Sequence, residues 1–175
     1  MVQGMQGMEE TRFTGFEHFS AVAPELVASR ESVYNAHQNR LYAFAFWMTG
    51  NELQAEELME RTFVRAFLEA AIPTQEMLDR ALVAEVQSFT PLGMLTLNQQ
   101  GTSEVLNVRG NVKRCELERA VLQLPATERL IYLMHDGDGY SHAQVASTLA
   151  ISERDSRRGL HQARLELRSL LAQAR

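Results

Sequence analysis

An all-α fold follows from three properties of this 175-residue sequence. Apolar residues recur at three- and four-residue intervals along most of the chain, the spacing that gathers them on one face of a helix. Proline and glycine are sparse, with 4 and 10 residues, so few positions interrupt those stretches. The balance of 45% hydrophobic and 22% charged residues is that of a globular chain, long enough for one ordinary domain or two small ones.

Residues 1–15 are rich in Met, Gln and Gly and read as a flexible tail. A short helix is expected near Glu17–Arg30 and a long one from Glu31 to Met48, with Tyr34, Leu41, Ala45 and Met48 on one face. Phe44, Phe46 and Trp47 make its end apolar nearly all round, as in a helix buried on two sides. Gly50-Asn51 breaks it. A third helix from Glu52 to about Ala70 carries the clearest stripe: Ala55, Leu58, Met59, Thr62, Phe63, Ala66, Phe67 and Ala70. Pro73 ends that segment, and Thr74 starts a fourth helix reaching about Ser88.

Around residues 90–112 the periodicity is lost and Gly, Asn, Gln, Ser and Thr accumulate. The chain therefore divides into a tail (1–15), a first helical domain (16–92), a linker (93–113) and a second helical domain (114–175). Helices are expected in the last at Arg114–Gln123, Ala126–His135, Ser141–Leu149 and from Glu153 onward, with Pro125 and Asp136-Gly-Asp-Gly139 at the first two joints.

The net charge of −5 is unevenly spread. Residues 1–110 hold 7 Lys/Arg against 14 Asp/Glu, a balance of −7, and residues 111–175 hold 10 against 8, a balance of +2. Any nucleic-acid footprint belongs at the C-terminus, and the acidic front suits a basic protein partner. The lone Cys115 closes no internal disulfide, the first residues lack the basic and apolar regions of a signal peptide, and no apolar run nears the roughly 20 residues of a membrane span. A soluble, cytoplasmic protein is expected. The DGDG turn lacks the later ligands and closing glutamate of a calcium loop, and the five histidines have no metal-ligand spacing. With no P-loop, nucleophile elbow or paired-carboxylate motif, neither an enzyme nor a cofactor is expected.

The stretch Gly139–Leu160 meets the requirements of a helix-turn-helix. Ser141 is placed to cap a short helix, Val145 and Leu149 point inward, and Ala146 is small enough for a close helix crossing. A turn follows at Ala150-Ile151, and Ser152 caps the next helix. The outer side of that helix offers arginines to phosphates or guanine edges.

The segment LERAVLQLPATERLIYL (117–133), the helix-turn-helix after it and LHQARLELRSLL (160–171) resemble region 4 of sigma-70-type factors. The earlier block LYAFAFWMTGNELQAEELMERTFVRAF (41–67) resembles their region 2, so the chain is similar to extracytoplasmic-function (ECF) sigma factors over about residues 30–172. The resemblance implies a first domain docking on the β′ coiled coil of core RNA polymerase and opening the −10 element. It implies a second that reads the −35 element of promoter DNA and touches the β flap. Carried across, the polymerase contacts are Glu56, Glu57, Glu60, Arg61, Val64 and Leu68. The DNA contacts are Ser152, Arg154, Arg157, Arg158, His161, Arg164 and Arg168, with Arg80 on the fourth helix. An anti-sigma factor is the further partner it implies.

Some positions depart from that pattern. The fourth helix has one arginine and no Trp, Tyr or Asn for handling an unpaired strand. Ala150 stands where glycine is favoured, and a left-handed conformation there costs on the order of 1 kcal/mol. Ser156 replaces an inward branched apolar residue, and a buried hydroxyl with a poor partner costs roughly 1–3 kcal/mol. Gly159 weakens the helix by ~1 kcal/mol, and Asp155 points a carboxylate toward phosphates. These departures leave a competing reading open, a sigma-like decoy or regulator that binds polymerase or an anti-sigma factor without reading DNA. A free-standing helix-turn-helix regulator would leave the region 2 likeness unexplained.

Overall fold

The first element is α1 (Pro24–Thr49), a single 26-residue helix. The structure, a computed structural model, describes residues 24–90, 92 and 112–173. The two helices expected on either side of Arg30 are one within this range, because nothing between Pro24 and Gly50 interrupts the backbone ladder. Proline is tolerated in the first turn, where its missing N–H has no intrahelical partner. Residues 1–23, which hold the expected tail, and residues 93–111 of the expected linker lie outside the described residues.

Gly50 ends α1 with φ of 67°, a left-handed conformation that costs glycine nothing. Asn51 then caps α2 (Glu52–Glu69), its side-chain oxygen accepting the Gln54 N–H at 3.1 Å. The stripe read from the sequence is the face that packs, with Ala55, Leu58, Met59, Thr62, Phe63 and Ala66 all buried. Thr62 satisfies its hydroxyl on the Leu58 carbonyl at 2.7 Å. After Pro73, Thr74 caps α3 (Gln75–Phe89). These three helices pack pairwise.

The second half holds α4 (Arg114–Gln123), α5 (Ala126–Tyr132), a π-helical turn (Leu133–Gly137), α6 (His142–Leu149) and α7 (Glu153–Gln173). The helix expected to run to His135 widens after Tyr132 into the π turn, which closes with the Asp138 N–H on the Leu133 carbonyl at 2.9 Å. Helix α7 is the spine, since α4, α5 and α6 all pack on it.

The halves also touch. Helix α1 packs on α4 and α5, and α3 packs on α6. The apolar end of α1 is thus covered from both sides, with Phe46 and Trp47 partly buried. Arg129 of α5 donates to the Met48 carbonyl at the end of α1 at 2.6 Å and to the Leu122 and Leu124 carbonyls at the end of α4. One guanidinium therefore satisfies orphan carbonyls of two helix ends. A solvent-open cleft of about 300 Å³ lies between Phe44 and Trp47 of α1, Leu117 and Val121 of α4, and the π turn.

Ala150 has φ 54° and ψ 41°, the left-handed conformation expected of the turn. Ala150→Gly should relieve that strain, less the entropy glycine adds to the unfolded chain, for a net gain of about 0.5–1 kcal/mol. Urea denaturation would show this as a higher midpoint at unchanged slope.

Candidate functional site

Two surfaces emerge from this packing, one on α7 and one on α2. Helix α6 is entered through a reciprocal cap: the Gln144 N–H donates to Ser141 Oγ at 3.3 Å, and the Ser141 N–H donates to Gln144 Oε1 at 2.9 Å. Val145, Ala146 and Leu149 are buried. The chain turns at Ala150, and the Ile151 N–H reaches back to the Ala146 carbonyl at 3.0 Å. Ser152 then caps α7, accepting the Asp155 N–H at 3.0 Å and donating to Asp155 Oδ2 at 2.6 Å. Asp155 is therefore held back at the helix start, where a carboxylate favours the helix dipole. Ser152 acts as a cap in this arrangement.

Ser156, Gly159, Leu160, Ala163 and Leu167 form the inward face of α7. Ser156 is fully buried, and its Oγ lies 3.0 Å from His142 Nδ1 on α6. The poor partner expected for this hydroxyl is thus a good one, and the contact ties the two helices of the motif together. Burial first, then the positive surroundings of His135, Arg157 and Arg164, lower the His142 pKa. A neutral imidazole suits a shared bond to a hydroxyl.

The opposite face of α7 carries Arg154, Arg157, Arg158, His161 and Arg168, all exposed. Arg157 pairs with Glu153 at 3.0 Å, but both side chains are more than half exposed, so the pair contributes little and is readily exchanged. Arg164 is different. Its guanidinium makes a two-pronged bond to Asp136 of the π turn, at 2.7 and 3.0 Å. That hydrogen bond is the main reason the Asp136 carboxyl lies below its ordinary range. Arg164 thereby braces α7 against the π turn. Arg80 is exposed on α3, apart from α7 in the chain and with no hydrogen bond or ion pair to it.

On α2, the face opposite the core stripe exposes Leu53 (76%), Val64 (60%) and Leu68 (83%). These are three of the five large apolar side chains exposed among the described residues, so apolar surface is concentrated here. Glu56, Glu57 and Glu60 are exposed beside them. Arg61 is engaged within the molecule: it donates to Glu85 of α3 at 2.9 Å, lies 3.6 Å from Glu57 and sits 5.0 Å over the Phe89 ring. Arg65 donates to the same Glu85 at 2.6 Å. Val64, Arg65, Leu68 and Glu69 border a shallow groove closed on one side by Arg61 and Glu85.

Burial alone would raise the Glu85 pKa, but bonds and charge from Arg65 and then Arg61 outweigh it and hold it below the ordinary glutamate range. A depressed folded pKa means the carboxylate stabilises the fold above its unfolded value and loses that contribution as pH falls through the folded value. Glu85→Gln should therefore cost about 1–2 kcal/mol at neutral pH. Its denaturation midpoint and the wild type's should converge in acid; a gap that persisted there would mean packing, not charge, is responsible.

The internal ties were the part missed from sequence. Glu85 holds Arg61 and Arg65 of α2, His142 ties α6 to α7, and Arg40, Asp79, Arg129 and Asp138 join the two halves; the available signal was Asp79 and Glu85 on an otherwise apolar face of α3. Among the described residues no helix is long and apolar enough to cross a membrane.

The family described as "Sigma-70, region 4" matches residues 116–167, which span α4 to α7. The chain is 25% identical over 170 residues to the ECF RNA polymerase sigma factor SigL of Mycobacterium tuberculosis, covering 87% of this chain and 94% of that one. The second half of the chain thus matches region 4 of the sigma-70 family, and most of its length is similar to ECF sigma factors. A second relative, the ECF RNA polymerase sigma factor SigE of Mycolicibacterium smegmatis, is 22% identical over 193 residues, covering 91% of this chain and 68% of that one. The fold is similar to that of the sigma factor RpoE from Bartonella quintana, solved in complex with the anti-sigma factor NepR. That match has a TM-score of 0.57 and 18% identity, and it covers 86% of this chain and 96% of that one. The helix-turn-helix built by α6 and α7 lies within the residues that match region 4. Members of this family are transcription initiation factors, not enzymes.

Proposed function

We propose that this chain is a dissociable initiation subunit that docks on core RNA polymerase through the outer face of α2 and directs it to promoters through the outer face of α7. The observation that carries the reading is the separation of the two surfaces. An apolar strip edged by carboxylates lies on one half, and four exposed residues, Arg154, Arg157, Arg158 and Arg168, lie on the other. The first suits a basic or amphipathic partner helix such as the β′ coiled coil. The second lies on the second helix of a helix-turn-helix, the element that enters the major groove, with the β flap contacted by the same half. On this reading the two halves act as separate domains joined across residues 93–113. The initiation complex forms in the cytoplasm, and no covalent chemistry is performed.

An anti-sigma factor is part of the proposal, supported by the fold neighbour solved with one. The competing reading, a sigma-like decoy that captures polymerase or an anti-sigma factor without reading DNA, draws on one observation. The exposed side of α3 offers Glu76, Arg80 and Gln87, a poor set for holding an unpaired strand.

Fragment selection decides between them. Holoenzyme reconstituted from purified core polymerase and this chain is mixed with a pool of genomic fragments, and retained fragments are sequenced. Initiation predicts enrichment of fragments sharing two spaced elements. Polymerase capture with no sequence enrichment would favour the decoy.

A further inference from the structure

Inside the helix-turn-helix, α6 is tied to α7 by a polar contact made at the first residue of α6. His142 Nδ1 lies 3.0 Å from Ser156 Oγ, and Ser156 is fully buried on the inward face of α7. Arg157 and Arg158 follow it directly in the chain, so what fixes Ser156 also fixes the direction in which those arginines leave the helix. On its other side the His142 ring lies against the ring of His135 in the π turn, centroids 4.4 Å apart and planes tilted by 32°. His135 Nδ1 is 2.9 Å from Asp136 Oδ1, and Asp136 also holds Arg164 of α7. The contacts Arg164–Asp136–His135–His142–Ser156 therefore begin and end on α7, passing through the π turn and α6.

The charged groups around His142 are mostly positive. Helix α7 contributes Arg157 and Arg164 against one carboxylate, Glu153, and the π turn contributes His135 with Asp136 beyond it. Helix α3, also packed on α6, brings Gln75, Glu76 and Asp79 to a cleft on the side of Gln144, Ser147 and Thr148. Burial and then the neighbouring cations hold His142 below the ordinary histidine range. A histidine whose pKa falls on folding leaves stability unchanged above its unfolded value and lowers it as pH falls through that value. Neutral, with its proton on Nε2, the ring accepts the Ser156 hydroxyl at Nδ1. Charging both stacked rings places two cations in contact, so the pair takes one proton more readily than two.

We propose that His142 is a positioning residue for duplex reading: neutral, it seats α7 through Ser156, and charging the His135–His142 pair unseats α7, so that the −35 contacts of Arg157 and Arg158 weaken in mild acid. This rests on the initiation reading above. The sensitivity arises within the fold. His161, exposed on the outer face of α7, works in the opposite sense, since its charge favours phosphate. The unseated fraction lowers apparent affinity in proportion. A group titrating no higher than the ordinary histidine value of about 6.5 loses at most about tenfold at a pH of about 5.5.

The test is fluorescence anisotropy of reconstituted holoenzyme with a duplex carrying the elements enriched in the fragment selection, at a pH of about 7.5 and of about 5.5 and fixed ionic strength. His142→Gln keeps a hydrogen-bonding group for Ser156 and does not titrate; His142→Ala removes the bond at every pH. Each variant is compared with wild type at the same pH, which cancels the pH dependence of the polymerase itself. The expected result is His142→Gln within about twofold of wild type at the higher pH and about three- to tenfold tighter at the lower, with His142→Ala weaker than His142→Gln at both. A ratio of His142→Gln to wild type that stays flat with pH overturns the proposal, and so does His142→Ala matching His142→Gln. Circular dichroism follows the fold: loss of wild-type helix content at the lower pH overturns the proposal in favour of acid unfolding. If His142→Gln does not fold, His135→Gln carries the test, since the acid loss shrinks once the neighbouring charge is gone and an unchanged loss overturns the proposal. Wild-type holoenzyme that holds no duplex specifically at the higher pH overturns the initiation reading and this proposal with it, whereas a flat ratio overturns this proposal alone.

Discussion

Replacing Arg157 and Arg158 together by alanine is expected to abolish specific binding to the −35 element without harming the fold. Both side chains are exposed on the outer face of α7, one turn into the helix, and neither is buried against the rest of the molecule. A two-pronged arginine–guanine contact discriminates by about 1–3 kcal/mol, so losing two should weaken specific binding on the order of 100-fold or more. If one arginine contacts phosphate instead, binding to all sequences weakens and the salt slope falls by about 1. Fluorescence anisotropy with promoter and scrambled duplexes over a salt series separates these outcomes. Unchanged affinity would remove both residues from the interface. Arg164→Ala should behave differently, because it breaks the brace to Asp136 and is read first as lost stability.

Val64→Asp combined with Leu68→Asp is expected to eliminate polymerase capture and leave the unfolding midpoint where it was. The two side chains are 60% and 83% exposed, so little folding free energy depends on them. A central apolar anchor of an interface typically contributes 2 kcal/mol or more, and two adjacent ones with an introduced charge should cost well over 100-fold in affinity. Glu57→Lys with Glu60→Lys should weaken capture less and mainly through the association rate, as rim charges do. Capture is measured by surface binding of core polymerase to the immobilised chain. Binding that survived both pairs would move the docking surface off α2.

Helix identity and the buried stripe of α2 were legible because both follow from local periodicity and capping chemistry. Thr74 and Ser141 cap where the sequence places them, and Ala150 adopts the left-handed turn. The continuity of α1 was not legible, since an apolar pattern shifting around a long helix imitates two helices. Polar pairing was the larger gap. Ser156 finds His142 on the preceding helix, Arg61 and Arg65 share Glu85, and Arg40 reaches Asp138 across 98 positions. Such partners are set by tertiary geometry and leave no period in the sequence. The exposed arginines of α7 were readable as surface, but which of them is tied down was not. Arg164 differs from Arg157 only through the π turn, a feature no spacing announces.

Promoter-dependent run-off transcription with purified core polymerase and this chain tests the two-surface account most directly. The account predicts discrete transcripts from templates carrying the selected elements, lost both in the Arg157/Arg158 variant, which still captures polymerase, and in the Val64/Leu68 variant, which does not. Polymerase bound stably by the wild-type chain, with no transcript from any template, would contradict it.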